Sequence, residues 1–121
     1  MSENLITPRM NCAVDATMSV IEGRWKTVIL CKLHMNGPMR FNQLMKEIGG
    51  ISPRILTKQL KEMESDGIIK RTSYPEIPPR VEYSITEKGL SLGPILKAMA
   101  DWGLKNMFSN KVTFDADVMT E

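Results

Sequence analysis

The stretch SPRILTKQLKEMESDG, residues 52–67, reads as a short helix with a marked start and stop. Ser52 is placed to cap it, Pro53 suits its first position, and Gly67 closes it. Its charges run against the helix dipole: Arg54 and Lys58 sit near the positive end, while Glu62, Glu64 and Asp66 crowd the negative end. With successive residues about 100° apart around the axis, Ile55, Leu56, Gln59, Leu60 and Met63 share one side. Arg54, Thr57, Lys58 and Lys61 share the other, at i, i+3, i+4 and i+7. The stretch therefore predicts a helix with a core face and a basic, hydrogen-bonding face.

Such a face is more often a solvated surface than a binding site, so its neighbours decide. Immediately upstream, FNQLMKEI (41–48) sets Phe41, Leu44, Met45 and Ile48 on one apolar stripe, and Gly49-Gly50 then breaks the chain. Two short amphipathic helices across a Gly-containing turn are the outline of a helix-turn-helix. Downstream, VEYSIT (81–86) alternates Val81, Tyr83 and Ile85 with polar residues, and IIKRTS (68–73) is a candidate partner strand. The intervening YPEIPPR (74–80) holds three prolines, which makes a stiff hairpin loop suited to a wing. The predicted fold is mainly α with a small β-hairpin, a winged helix-turn-helix.

Farther out, AVDATMSVIE (13–22) predicts a first helix ended by Gly23, and RWKTVILCKLHM (24–35) a second, core-facing one. From Thr86 toward Phe108 another helical pattern runs, with a kink or restart at Gly93-Pro94 and an apolar stripe of Leu92, Ile95, Leu96, Met99 and Trp102. That stripe suits either a core or a dimer contact. The expected organisation is an N-terminal arm over 1–11, a winged-helix domain over 12–108 and a flexible tail over 109–121.

Composition sets outer limits. With 121 residues, 42% of them hydrophobic, the chain can bury one core, and no apolar run approaches the ~18 residues of a membrane span. A start as polar as MSENLITPRM does not read as a secretory signal, so a soluble cytoplasmic protein is expected. Cys12 and Cys31 lack metal-ligand spacing and His34 is the single histidine, so no metal, no cofactor and no enzyme activity is expected. The net charge of +2 is unremarkable, but residues 40–80 hold eight Lys and Arg against five acids. This concentration favours double-stranded DNA as partner.

Groove contact falls to Arg54, Thr57, Lys58 and Lys61, because a recognition helix presents its N-terminal side chains to base edges. Ser52 and Pro53 at the helix start, Arg40 before the preceding helix, and Arg71 beside Lys70 extend the surface, with Arg80 as the wing contact.

The segments GRWKTVIL, ISPRILTKQL, PPRVEYSIT and ADWG, in this order and spacing, resemble the HxlR-type transcriptional regulators, winged-helix proteins related to MarR. The likeness spans roughly residues 10 to 106. It implies a homodimer on a pseudo-palindromic operator, joined through the first and last helices, with Val14, Met18, Leu92, Ile95, Leu96, Met99 and Trp102 at the contact. In some members it also implies a cysteine just before the first helix that senses oxidants or electrophiles, which maps onto Cys12. A helix N-terminus there favours the reactive thiolate, although a free cysteine is as readily a small buried hydrophobe. The rival readings are a winged helix that binds proteins, and a regulator that answers a small molecule without redox sensing. Ten methionines could line an adaptable pocket for such an effector.

Overall fold

Leu56, Leu60 and Met63 fall at i, i+4 and i+7, and in the computed structural model, which describes residues 8–108, all three are buried. The elements are α1 (Pro8–Ile21), α2 (Lys26–Asn36), α3 (Phe41–Ile48), α4 (Pro53–Ser65), β1 (Ile69–Tyr74), β2 (Arg80–Ile85), α5 (Glu87–Leu90) and α6 (Gly93–Met107). Around the α4 stripe close Ile29, Leu30 and Leu33 of α2, Leu44 of α3, Ile51 of the turn, and Ile68 and Ile69 leading into β1. Burying one such side chain fully contributes roughly 1.5–3 kcal/mol, so this shared apolar set fixes how α2, α3 and α4 pack. The arm up to residue 7 and the tail over 109–121 lie outside the described residues.

Local chemistry sets the helix ends. Ser52 Oγ accepts a hydrogen bond from Ile55 N at 3.2 Å, and Pro53 occupies the first turn. At α3, Gln43 Oε1 accepts from Arg40 N at 2.8 Å. Between the two helices Gly49 and Gly50 both adopt positive φ, 69° and 73°. Two successive positive-φ residues form the turn between α3 and α4, and only glycine adopts them without strain.

The hairpin pairs β1 with β2 antiparallel, from Ile69 opposite Ile85 to Tyr74 opposite Arg80. A third partner was not foreseen. Met39 N donates to Tyr83 O at 3.0 Å and Tyr83 N donates to Met39 O at 2.8 Å, so the segment leading into α3 bridges to the free edge of β2. The loop over 75–79 carries Ile77, fully exposed, at the wing tip.

Three expectations shift. The first helix begins at Pro8, which fits the first helical position, and so takes in Cys12. The second begins at Lys26, two residues later than the spacing indicated. The C-terminal pattern restarts at Gly93 as its spacing indicated, giving α5, capped by Thr86 Oγ1 accepting from Gly89 N at 3.1 Å, and α6. Ile55 is 41% exposed rather than buried, because around the axis of α4 it lies on the flank of the stripe made by Leu56, Leu60 and Met63.

Candidate nucleic-acid interface

Because Leu56, Leu60 and Met63 are locked into the core, the opposite face of α4 must point outward. Arg54, Thr57, Lys58 and Lys61 are all exposed on it, and Ser52 and Pro53 are exposed at the helix start. Arg40 is exposed at the head of α3. Lys70 and Arg71 are both exposed on β1, but consecutive strand residues point to opposite faces. Arg71 stands opposite Tyr83 and Lys70 opposite Ser84, so the two do not form one basic strip.

The acidic half of α4 has a use that its sequence conceals. Lys26, at the start of α2, is buried, and its Nζ lies 3.0 Å from Glu62 Oε1 while donating to Ser19 O of α1 at 3.3 Å. Lys58 Nζ approaches the other oxygen, Glu62 Oε2, at 3.9 Å. The hydrogen bond from Lys26 holds the Glu62 carboxyl below its ordinary value of 4.5; burial works against it, and the charges of Lys26 and Lys58 assist. Sequence reading missed the pair, since a single lysine opening an apolar helix and a glutamate two helices later share no local pattern.

Arg80 also has intramolecular partners. Its Nη2 lies 2.8 Å from Glu76 Oε2, its Nη1 3.1 Å from Glu82 Oε2, and its guanidinium carbon 3.9 Å from the centroid of the Tyr74 ring. The side chain is 28% exposed and ties both limbs of the wing together. Its expected role as a wing contact thus meets a side chain already held by two carboxylates and an aromatic face. The signal for this was faint: Glu82 follows two residues on along the strand, but Tyr74 reaches Arg80 only through the hairpin register.

An outward basic helix in a helix-turn-helix, braced by a wing at its side, is the architecture of a DNA reader. A family model described as HxlR-like helix-turn-helix matches residues 20–111. The chain belongs to the HxlR-like family. Its relatives include an uncharacterised HTH-type transcriptional regulator of Halalkalibacterium halodurans, 49% identical over 90 residues, or 74% of this chain and 80% of the relative. Among solved structures, a protein of Enterococcus faecalis assigned to the MarR family of transcriptional regulators superposes with a TM-score of 0.75 at 37% identity, covering 84% of this chain and 92% of that one. The redox regulator HypR in its reduced form superposes with a TM-score of 0.69 at 45% identity, covering 78% and 92%. This HxlR-like chain is a transcriptional regulator of the DNA-binding helix-turn-helix type.

The remaining candidates divide between surface and interior. Leu92, expected at a dimer contact, is a core residue of this HxlR-like domain at 8% exposure, because the α5–α6 junction folds it inward. Met18 and Leu96 are partly buried against the same core. Val14 of α1 and Ile95, Met99 and Trp102 of α6 are exposed, as are Met10, Met107 and Phe108. Cys12 is a free, exposed thiol. With the helix starting at Pro8 it sits in the second turn of α1 rather than just before the helix. The Cys31 thiol, half-buried in α2, lies 3.7 Å from Met35 Sδ. A shallow cavity of about 230 Å³ opens between α1 and the α5–α6 junction, lined by Ala16, Thr17, Val20, Ile68, Ser91 and Leu92. Among the described residues no group of three or more His, Cys, Asp or Glu could hold a metal ion, and no helix is long and apolar enough to cross a membrane.

Proposed function

We propose that this HxlR-like regulator binds a pseudo-palindromic operator as a homodimer, with α4 in the major groove and the wing against the neighbouring backbone. The observation that carries the reading is the outward face of α4, where Arg54, Thr57, Lys58 and Lys61 are all exposed above a locked apolar stripe. In this reading Arg54, Thr57 and Lys61 reach base edges, Lys58 reaches phosphate, and Ser52, Pro53, Arg40 and Arg71 border the groove. Arg80 keeps the wing in shape. Val14, Ile95, Met99 and Trp102 join the subunits, setting two α4 helices about 34 Å apart, one turn of B-DNA.

Bound genomic fragments selected with the purified protein supply the operator. Arg54→Ala or Lys61→Ala is then expected to weaken binding by about 1–3 kcal/mol, roughly fivefold to a hundredfold, with the circular dichroism spectrum unchanged. Affinity within about twofold of wild type would remove α4's outer face from recognition. A winged helix that binds proteins instead would lack the steep loss of DNA affinity with rising salt.

Exposure of Cys12, together with likeness to a regulator described as redox-responsive, supports oxidant or electrophile sensing by that thiol. Peroxide or quinone is expected to release wild-type protein from the operator and to leave Cys12→Ser bound. Equal release of both would take Cys12 out of the mechanism.

A further inference from the structure

The carboxylate of Glu62 stands between two lysines of unlike surroundings. Lys26 is nearly enclosed, its side chain 8% exposed, whereas Lys58 is 72% exposed on the outward face of α4. An enclosed ammonium requires a counter-charge far more than a hydrated one does. The distances agree: Glu62 Oε1 meets Lys26 Nζ at 3.0 Å, while Oε2 stays 3.9 Å from Lys58 Nζ, at the limit of an ion pair. Ser19 O of α1 accepts from the same Nζ, which ties the enclosed ammonium to the first helix as well as to Glu62.

We propose that Lys26 is a positioning residue for DNA binding: by engaging Glu62 from behind the helix, it leaves Lys58 available to phosphate. Without Lys26, the ion pair left to Glu62 among the described residues is the one with Lys58 at i−4, and the carboxylate draws that lysine along the helix surface. A phosphate approaching Lys58 would then have to break that pair, with an uncompensated carboxylate beside it. Lys26 touches no DNA in this arrangement and acts through Glu62.

This inference rests on the proposed binding of phosphate by Lys58, and the two are separable by salt dependence. The slope of log affinity against log salt becomes shallower by roughly 0.9 for each phosphate that the protein no longer neutralises. The probe is a fluorescein-labelled duplex of mixed sequence, read by anisotropy across a salt series. Lys58→Met is expected to make the slope shallower by about the value of one phosphate. Lys26→Met is expected to change it by the same amount, although Lys26 faces away from the duplex. Lys26→Met/Glu62→Gln is expected to restore the wild-type slope, since no carboxylate remains to capture Lys58. Glu62→Gln alone is expected to keep it.

An unchanged slope in Lys58→Met overturns the binding of phosphate by Lys58 itself. A shallower slope in Lys58→Met with a wild-type slope in Lys26→Met overturns the role of Lys26. Failure of the double variant to recover, with a native circular dichroism spectrum, reduces Lys26 to structural support and equally overturns it. Should Lys26→Met not fold, Lys26→Gln keeps a donor toward Ser19 O without the charge, and the same slopes decide.

Discussion

Glu62 and Arg80 look like ordinary surface charges in the sequence, yet each is held by partners that only tertiary structure supplies. For Glu62 this has a consequence in acid. Lys26's hydrogen bond holds the carboxyl below 4.5, its value when unfolded, so the stabilisation it gives is complete above that pH and is lost as pH falls through the lower, folded value. The melting temperature of wild type is expected to fall in that acid range more steeply than that of Glu62→Gln. Parallel curves for the two proteins would contradict the linkage. By contrast, Arg54, Thr57, Lys58 and Lys61 were legible as outward residues, because helical periodicity alone determines the exposed face once Leu56, Leu60 and Met63 are recognised as its opposite. Period-two spacing puts Glu82 on the same side of β2 as Arg80, but the closure of Arg80 on Glu76 and Tyr74 depends on strand register and loop path.

Elements with strong end signals were legible in the sequence, and those joined by tertiary contact were not. Gly49-Gly50 and Ser52-Pro53 mark the boundary between α3 and α4 so distinctly that their ranges follow from sequence. Met39's bridge to Tyr83 is a single residue and leaves no alternation to detect. The restart of α6 at Gly93-Pro94 was legible, but the seat of α5 was not, since it depends on a close approach to the entry to β1. At Gly89 a Cβ would lie 2.2 Å from Ile68 O and 2.7 Å from Ile85 Cγ2. Gly89→Ala must therefore displace a backbone carbonyl, and destabilisation of about 1–3 kcal/mol is expected, lowering the melting temperature by several degrees. A melting temperature equal to wild type would show that α5 is not seated against this backbone.

At the scale of the molecule, the apolar residues divide into those that hold the domain together and those that do not. Val14, Ile95, Met99 and Trp102, the last 63% exposed, lie on the first and last helices and contribute little to the core. If they join two subunits as proposed, Met99→Glu/Trp102→Glu is expected to sediment as a monomer and to bind operator at least tenfold more weakly, since linked half-sites gain from effective concentration. An unchanged sedimentation coefficient would refute that interface. Sequence indicated this stripe but could not separate Leu92 from it, because helical spacing does not say which of two partners a residue meets. The Met39–Tyr83 bridge, the shared core under α3 and α4, and the Lys26–Glu62 pair tie the turn, the wing and α4 into one unit. A signal received at α1 or α6 would then move each reading surface whole, without reshaping it. Induction should accordingly alter the half-site separation the protein tolerates, while the bases preferred within each half-site stay the same.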